Sequence, residues 1–277
     1  MASSCEFLSL GVVYMETDRP EDAENAFREA IRVCDPLQAE YPEMREYREH
    51  QARTYESLGF LFRKLGRAEQ AESPSRTALE LWQALAAKNP DVPNYLKNVA
   101  TSSAGLGLSL IVMERFDEAA AVFEQTHQAL EKLVEQFPDK DEYHDRLAWF
   151  LSTCPAVRFR DPDRALAHAR RAVELAPESG NAWQSLGVAH YRSENWQDAV
   201  AALNRLGELC SDCDSRKDFF LAMSYQRLGD LEQARQCYRS AVETMEQRSP
   251  RDLDVLPIRA EAAGQLGIED GKPNPEN

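Results

Sequence analysis

One register recurs along the first half of this chain and limits its fold more than any other feature. Leu10-Gly11, Leu58-Gly59 and Leu106-Gly107 are spaced 48 residues apart, and two further columns keep the same period: Tyr47, Tyr95 and Tyr143, and Pro42, Pro90 and Pro138. Three independent columns in register mean that the chain is assembled from repeated units. A period of this size belongs to stacked supersecondary elements, each needing its neighbours to bury an apolar face. The second half uses a shorter unit, with Leu221-Ala222 following Leu186-Gly187 by 35 residues.

A second set of columns says what each unit is. Thirteen residues after each leucine stands an alanine: Ala23, Ala71, Ala119, Ala199 and Ala234. Four further on are Phe27, Ser75, Phe123, Leu203 and Tyr238, and three beyond those Ala30, Ala78, Thr126, Leu206 and Ala241. Steps of four and three keep these positions on one helical face. Each unit therefore reads as a helix carrying Leu-Gly, a tight turn, and a second helix whose small residues admit close packing. The turn repeats as well, since "LGRAEQA" (65–71) and "LGDLEQA" (228–234) agree at five of seven positions. Glycine inside a helix costs roughly 0.5–1 kcal/mol relative to alanine. Gly59 is accordingly expected to let the partner helix cross closely, and Gly66 to end its helix in a left-handed conformation.

These columns resemble the tetratricopeptide repeat, a helical hairpin of about 34 residues. Trp183, Leu186, Gly187, Ala199 and the closing Pro177 match its pattern, as do Leu10, Gly11, Tyr14, Ala23, Phe27 and Ala30. The resemblance runs from residue 4 to 248 and implies an all-α, right-handed superhelical solenoid of about six hairpins. It divides into long units over 4–153 and shorter units over 154–248, followed by a capping helix over 250–267 and a disordered tail over 268–277. In the register of the tyrosine column, Cys154 and Pro155 take the Leu-Gly positions of the fourth unit. Proline there ends a helix, so a break or bend is expected over 154–162, after which Ala165 regains the alanine column. The chain starts inside a first helix with no polar cap before it, and Met1 is expected to lie within a longer array.

The long units with "FP" joins also resemble the C-terminal regions of large bacterial serine/threonine protein kinases. No Gly-rich loop, H-R-D or D-F-G is present, so any kinase link would be to a non-catalytic part.

Composition narrows the function. The net charge is -15, from 47 acidic and 32 basic side chains, which disfavours a nucleic-acid phosphate backbone. The apolar run 105–113 is about half of the roughly 20 residues a membrane span requires. Six cysteines, at 5, 34, 154, 210, 213 and 237, are too scattered for a disulfide framework and suit a reducing, cytoplasmic setting. Cys210 and Cys213 have metal-ligand spacing but lack the further ligands zinc requires, so they read as structural thiols. The histidines at 50, 127, 144, 168 and 190 form neither H-E-x-x-H nor a triad. No cofactor, metal or catalytic residue is expected, and the chain reads as a non-enzymatic protein-interaction scaffold. The alternative is a regulatory or substrate-recruiting segment of a serine/threonine kinase lacking its catalytic domain.

The resemblance implies that a groove is lined by positions two and five after each leucine. These are Val12 and Met15, Phe60 and Arg63, Leu108 and Ile111, Val188 and Tyr191, and Met223 and Gln226. Such a mostly apolar surface suits an amphipathic or extended apolar partner segment; the other reading is that the extended helices fill part of it with their own packing. The lysine and asparagine carboxylate clamp of some members is not matched. Arg158, Arg160, Arg164, Arg170 and Arg171 form the one basic cluster, read either as a solvated face with local ion pairs or as a patch for an acidic or phosphorylated partner.

Overall fold

The computed structural model describes residues 4–210 and 215–268. Among them are thirteen α-helices, one 3₁₀ turn and no strand, so the chain has an all-α helical-repeat fold. Six antiparallel hairpins follow one another: α1 (Ser4–Glu16) with α2 (Pro20–Glu40), α3 (Arg45–Lys64) with α4 (Ala68–Lys88), α5 (Pro93–Val112) with α6 (Phe116–Gln136), α7 (Asp141–Thr153) with α8 (Pro162–Leu175), α9 (Gly180–Arg192) with α10 (Trp196–Leu209), and α11 (Ser215–Leu228) with α12 (Leu231–Arg248). A last helix, α13, spans Leu256–Leu266. Helices α2 to α6 have 20 or 21 residues and α7 to α11 have 13 or 14, which accounts for the two repeat lengths.

The repeat columns coincide with the packing. Ala23, Ala71, Ala119, Ala165, Ala199 and Ala234 are all fully buried. Seven residues after each Leu-Gly or Leu-Ala pair the chain turns through positive φ, at Asp18, Gly66, Glu114, Glu194 and Gly229. Within the hairpins, the glycine of the first helix faces the large residue of the second. A Cβ on Gly107 would stand 2.5 Å from the Phe123 ring, and one on Gly187 2.5 Å from Leu203. In the second hairpin that large residue is Ser75, and the backbones themselves draw together: the same hypothetical atom on Gly59 would be 2.5 Å from Ser75 Oγ and 3.3 Å from its backbone nitrogen. Thr126 departs from the alanine column for a visible reason, since its hydroxyl shares a buried 2.8 Å hydrogen bond with Ser103.

Helix α7 stops at Thr153, immediately before Cys154-Pro155. The chain makes a 3₁₀ turn over Val157–Phe159 and restarts with Pro162 in the first turn of α8. The gap is closed by hydrogen bonds from Asp161 N to Leu151 O (3.1 Å) and from Arg160 Nε to Cys154 O (2.8 Å). Asp161 then caps α8 by accepting from Arg164 N at 3.1 Å.

The C-terminal part differs from a single helix over 250–267. Asp252 accepts the Asp254 backbone N–H at 2.9 Å, a local bond that competes with helix, and α13 begins only at Leu256, with Pro257 in its first turn. Gly267, at φ 67°, ends it. The expected disordered tail, beyond Ile268, lies outside the described residues, as does Cys213 of the C-x-x-C pair.

The contacts divide the chain into two compact units. The first holds residues up to Leu130 together with Arg251–Asp254; the second holds Glu131–Pro250 and the residues from Val255 onward.

Candidate functional site

In the first unit, the pattern of repeats brings one turn-facing stretch of α3 alongside α1 and α5. Glu56, Ser57, Phe60 and Arg63 of α3, Met15 of α1, and Thr101 and Ser102 of α5 line a pocket of about 220 Å³ whose wall Ser75 completes. Two of the lining side chains set its polarity. Glu56 and Arg63 are seven residues apart, two helical turns or roughly 10 Å along the axis. The pocket thus has an acidic end, where Glu56 accepts from Ser102 Oγ at 2.9 Å, and a basic end at Arg63. Phe60 lies between them, half-buried, with the Arg63 guanidinium 5.4 Å and Lys64 Nζ 5.3 Å from its ring centre.

Arg63 is buried to 7% exposure, more than a solvated groove position requires. Gly105 makes this possible, because a Cβ there would meet the Arg63 guanidinium at 2.3 Å. Gly105 is outside the Leu-Gly column, and its task could not be read from the repeat. On its other side Arg63 is held by the C-terminal strap Arg251–Asp254. Arg63 Nε donates to Asp254 Oδ1 at 3.2 Å, Lys64 Nζ donates to Asp252 Oδ2 at 2.5 Å, and Leu253 N donates to Arg63 O at 3.2 Å. Leu253 is 2% exposed. Burial, with Asp254 alongside, raises the pKa of Asp252 above the usual carboxylate range, and the Lys64 ion pair offsets part of that rise.

In the second unit the family-implied groove positions are covered. Val188, Tyr191 and Met223 are buried in one cluster with Val255, Ile258, Ala262 and Ala263 of the C-terminal segment. Tyr191 Oη donates to Gln265 at 2.8 Å, and Arg192 is paired with Glu261 through a 2.7 Å hydrogen bond. Val188, Tyr191 and Met223 are therefore core here rather than partner-facing, because α13 seals them. Gln226, Leu108 and Ile111 are half-buried, and Val12 is exposed. The element that covers these positions is α13, a helix outside the repeats, and not the extended helices of the long units.

The five arginines do not act as one surface. Arg160 turns in to the Cys154 carbonyl, Arg164 pairs with Glu131, and Arg171 pairs with Asp139 at 3.0 Å and Glu174 at 3.3 Å. Arg158 lies 4.7 Å over the Phe159 ring, and Arg170 is exposed.

No group of three or more potential metal-ligating side chains occurs among the described residues, and no described helix is long and apolar enough to cross a membrane. Burial pushes the thiols of Cys34, Cys154 and Cys237 up to about 11, away from the reactive thiolate. A histidine pair escaped the sequence reading: His144 Nδ1 and His168 Nδ1 are 2.9 Å apart, while His144 Nε2 lies 2.9 Å from Pro138 O. No local motif marks this pair, whose members are 24 residues apart on α7 and α8.

Comparison with known proteins agrees with the repeat columns. Tetratricopeptide-repeat family profiles match residues 7–35, 156–211 and 219–244. No curated protein matches the chain. Among solved structures, a thermophilic TPR protein of Thermus thermophilus is 19% identical, covers 78% of this chain and all of its own, and superimposes with a TM-score of 0.50. A chain of the APC/C hetero-tetramer Cut9–Hcn1 is 16% identical and superimposes with a TM-score of 0.54 over 94% of this chain and 43% of its own. At these identities the likeness is one of fold.

Proposed function

Because the chain is a tetratricopeptide-repeat protein, we propose that it is a non-enzymatic protein-interaction scaffold whose partner segment lies along the α3 face of the first unit. The observation that carries this reading is the pocket at Phe60. It combines the Phe60 ring, an acidic end and a basic end along α3, flanked by α1 and α5, and it remains open where the equivalent positions of the second unit are sealed. Recognition of a peptide by such a surface needs a few apolar anchors with charged groups fixing register. The Cut9–Hcn1 neighbour belongs to a hetero-tetramer, which accords with assembly as a use of this fold. The scattered free thiols favour work in a reducing compartment such as the cytoplasm.

A photo-crosslinking amino acid at position 60 tests the site. It is expected to capture a discrete protein partner in the host cell, whereas the same group at the exposed position 116 is not. Equal labelling from both positions would overturn the assignment.

A further inference from the structure

The strap Arg251–Asp254 is held as a short linear ligand is held. A backbone donor, the Leu253 N–H, bonds the Arg63 carbonyl; a buried leucine anchors the segment; and two carboxylates flank that leucine, one on Lys64 and one on Arg63. The two cations stand in the last turn of α3, where the helix carries partial negative charge and basic side chains are favoured. They are adjacent cations in a chain of net charge -15, and each takes a carboxylate from alternate positions of the strap. Asp252 also accepts the Asp254 N–H, which fixes the bend that presents both carboxylates together.

The strap also stops where the pocket starts. Arg63 is bonded to Asp254 and at the same time lines the pocket with Phe60 and Glu56. A segment with the same three residues and a continuation would meet both surfaces. The cis strap has the advantage of a tethered ligand, and a trans segment would overcome it through those added contacts.

We propose that the Arg63–Lys64 end of α3 is a receptor for an acidic-leucine-acidic segment of a partner protein, with Asp252-Leu253-Asp254 occupying it in cis as a displaceable competitor. This rests on the reading of the α3 face as the partner surface, and it names the chemistry of the partner.

The test uses the full chain and a fluorescein-labelled peptide of residues 250–256, with a control peptide in which both aspartates are asparagine. The double variant Asp252→Asn/Asp254→Asn is expected to bind the aspartate peptide at least about tenfold more tightly than the wild type does, as removal of a tethered competitor predicts. It should discriminate against the asparagine peptide, and adding Lys64→Ala should remove the gain. A gain that is absent, or equal for both peptides, overturns the proposal. Hydrogen exchange on the wild-type chain gives a second reading that needs no variant to fold: excess aspartate peptide should speed exchange at residues 251–255, and unchanged exchange overturns the proposal. If the peptide does nothing while Phe60→Asp still abolishes partner capture, this inference fails alone. Unchanged capture by Phe60→Asp sinks the groove reading itself.

Discussion

Gly107 on α5 and Phe123 on α6 are in contact so close that a single added methyl group would stand 2.5 Å from the aromatic ring. Phe123 is 2% exposed and has little room to move aside. Gly107→Ala should therefore destabilise the first unit by about 1–3 kcal/mol through overpacking. Gly264 provides the contrast, because nothing lies within 4 Å of a Cβ built there and α13 exposes it. Gly264→Ala should be neutral or stabilise by up to about 1 kcal/mol. Thermal or urea unfolding of the two variants checks the pair.

Phe60 and Tyr191, two and five residues after their leucines, are both groove positions by register but have different surroundings. Tyr191 is 4% exposed, packs edge-on to Phe220 at 5.6 Å and bonds Gln265, so Tyr191→Asp should cost at least about 3 kcal/mol and lower helicity on heating. Phe60 is half-buried at an open pocket, and Phe60→Asp should leave the melting curve within about 0.5–1 kcal/mol of the wild type. Circular dichroism melts distinguish the two.

Acid should loosen the fold through its histidines. Burial holds His50, His168 and His190 below the usual imidazole value, and for His168 the neighbouring His144 adds to this. A folded-state pKa below the unfolded one means that the unfolded chain binds more protons. The stability contributed by keeping these rings neutral is therefore complete above the unfolded value of about 6.5 and is lost as pH falls through it. The rings of His144 and His168 share a bond that needs one bare nitrogen, so both cannot be protonated with that bond intact. His168→Gln should flatten the decline of stability between about pH 6.5 and 5. Asp145 and Asp252, raised by burial, act in the opposite sense from about pH 3.9 upward, and comparison of wild type with the variant isolates the histidine.

Thiol chemistry should follow burial. Cys5 is exposed, while Cys34 and Cys154 combine burial with a raised pKa and Cys237 is half-buried. With a thiol reagent at pH 8, Cys5 should label within the first minutes, Cys237 more slowly, and Cys34 and Cys154 only as the chain unfolds. Mass spectrometry of the labelled peptides measures the order; early labelling of Cys154 would contradict the packing at the α7–α8 break.

The hairpins were legible because each repeat column has one physical task. Alanine at 23, 71, 119, 199 and 234 marks where helices touch, and Pro155 in the glycine column marks where α7 has to stop. The site was only half legible. Phe60 and Arg63 follow from the register, whereas the burial of Val188, Tyr191 and Met223 depends on α13, a helix outside the repeat. Gly105 and the strap partners of Arg63 and Lys64 were also hidden, since pairings across 188 and 191 residues leave no local pattern. A repeat dictates contacts between neighbouring units; it is silent about a segment that returns from the far end of the sequence.

Engagement of partners at the α3 face through Phe60 is the proposal on which the rest depends. The direct measurement is quantitative pull-down from the native host with the wild type, Phe60→Asp and Phe116→Asp, the last changing a residue 61% exposed away from the pocket. Phe60→Asp is predicted to lose specific partners that Phe116→Asp retains, with unchanged folding in both. Recovery of the same partners by Phe60→Asp at wild-type levels would contradict it.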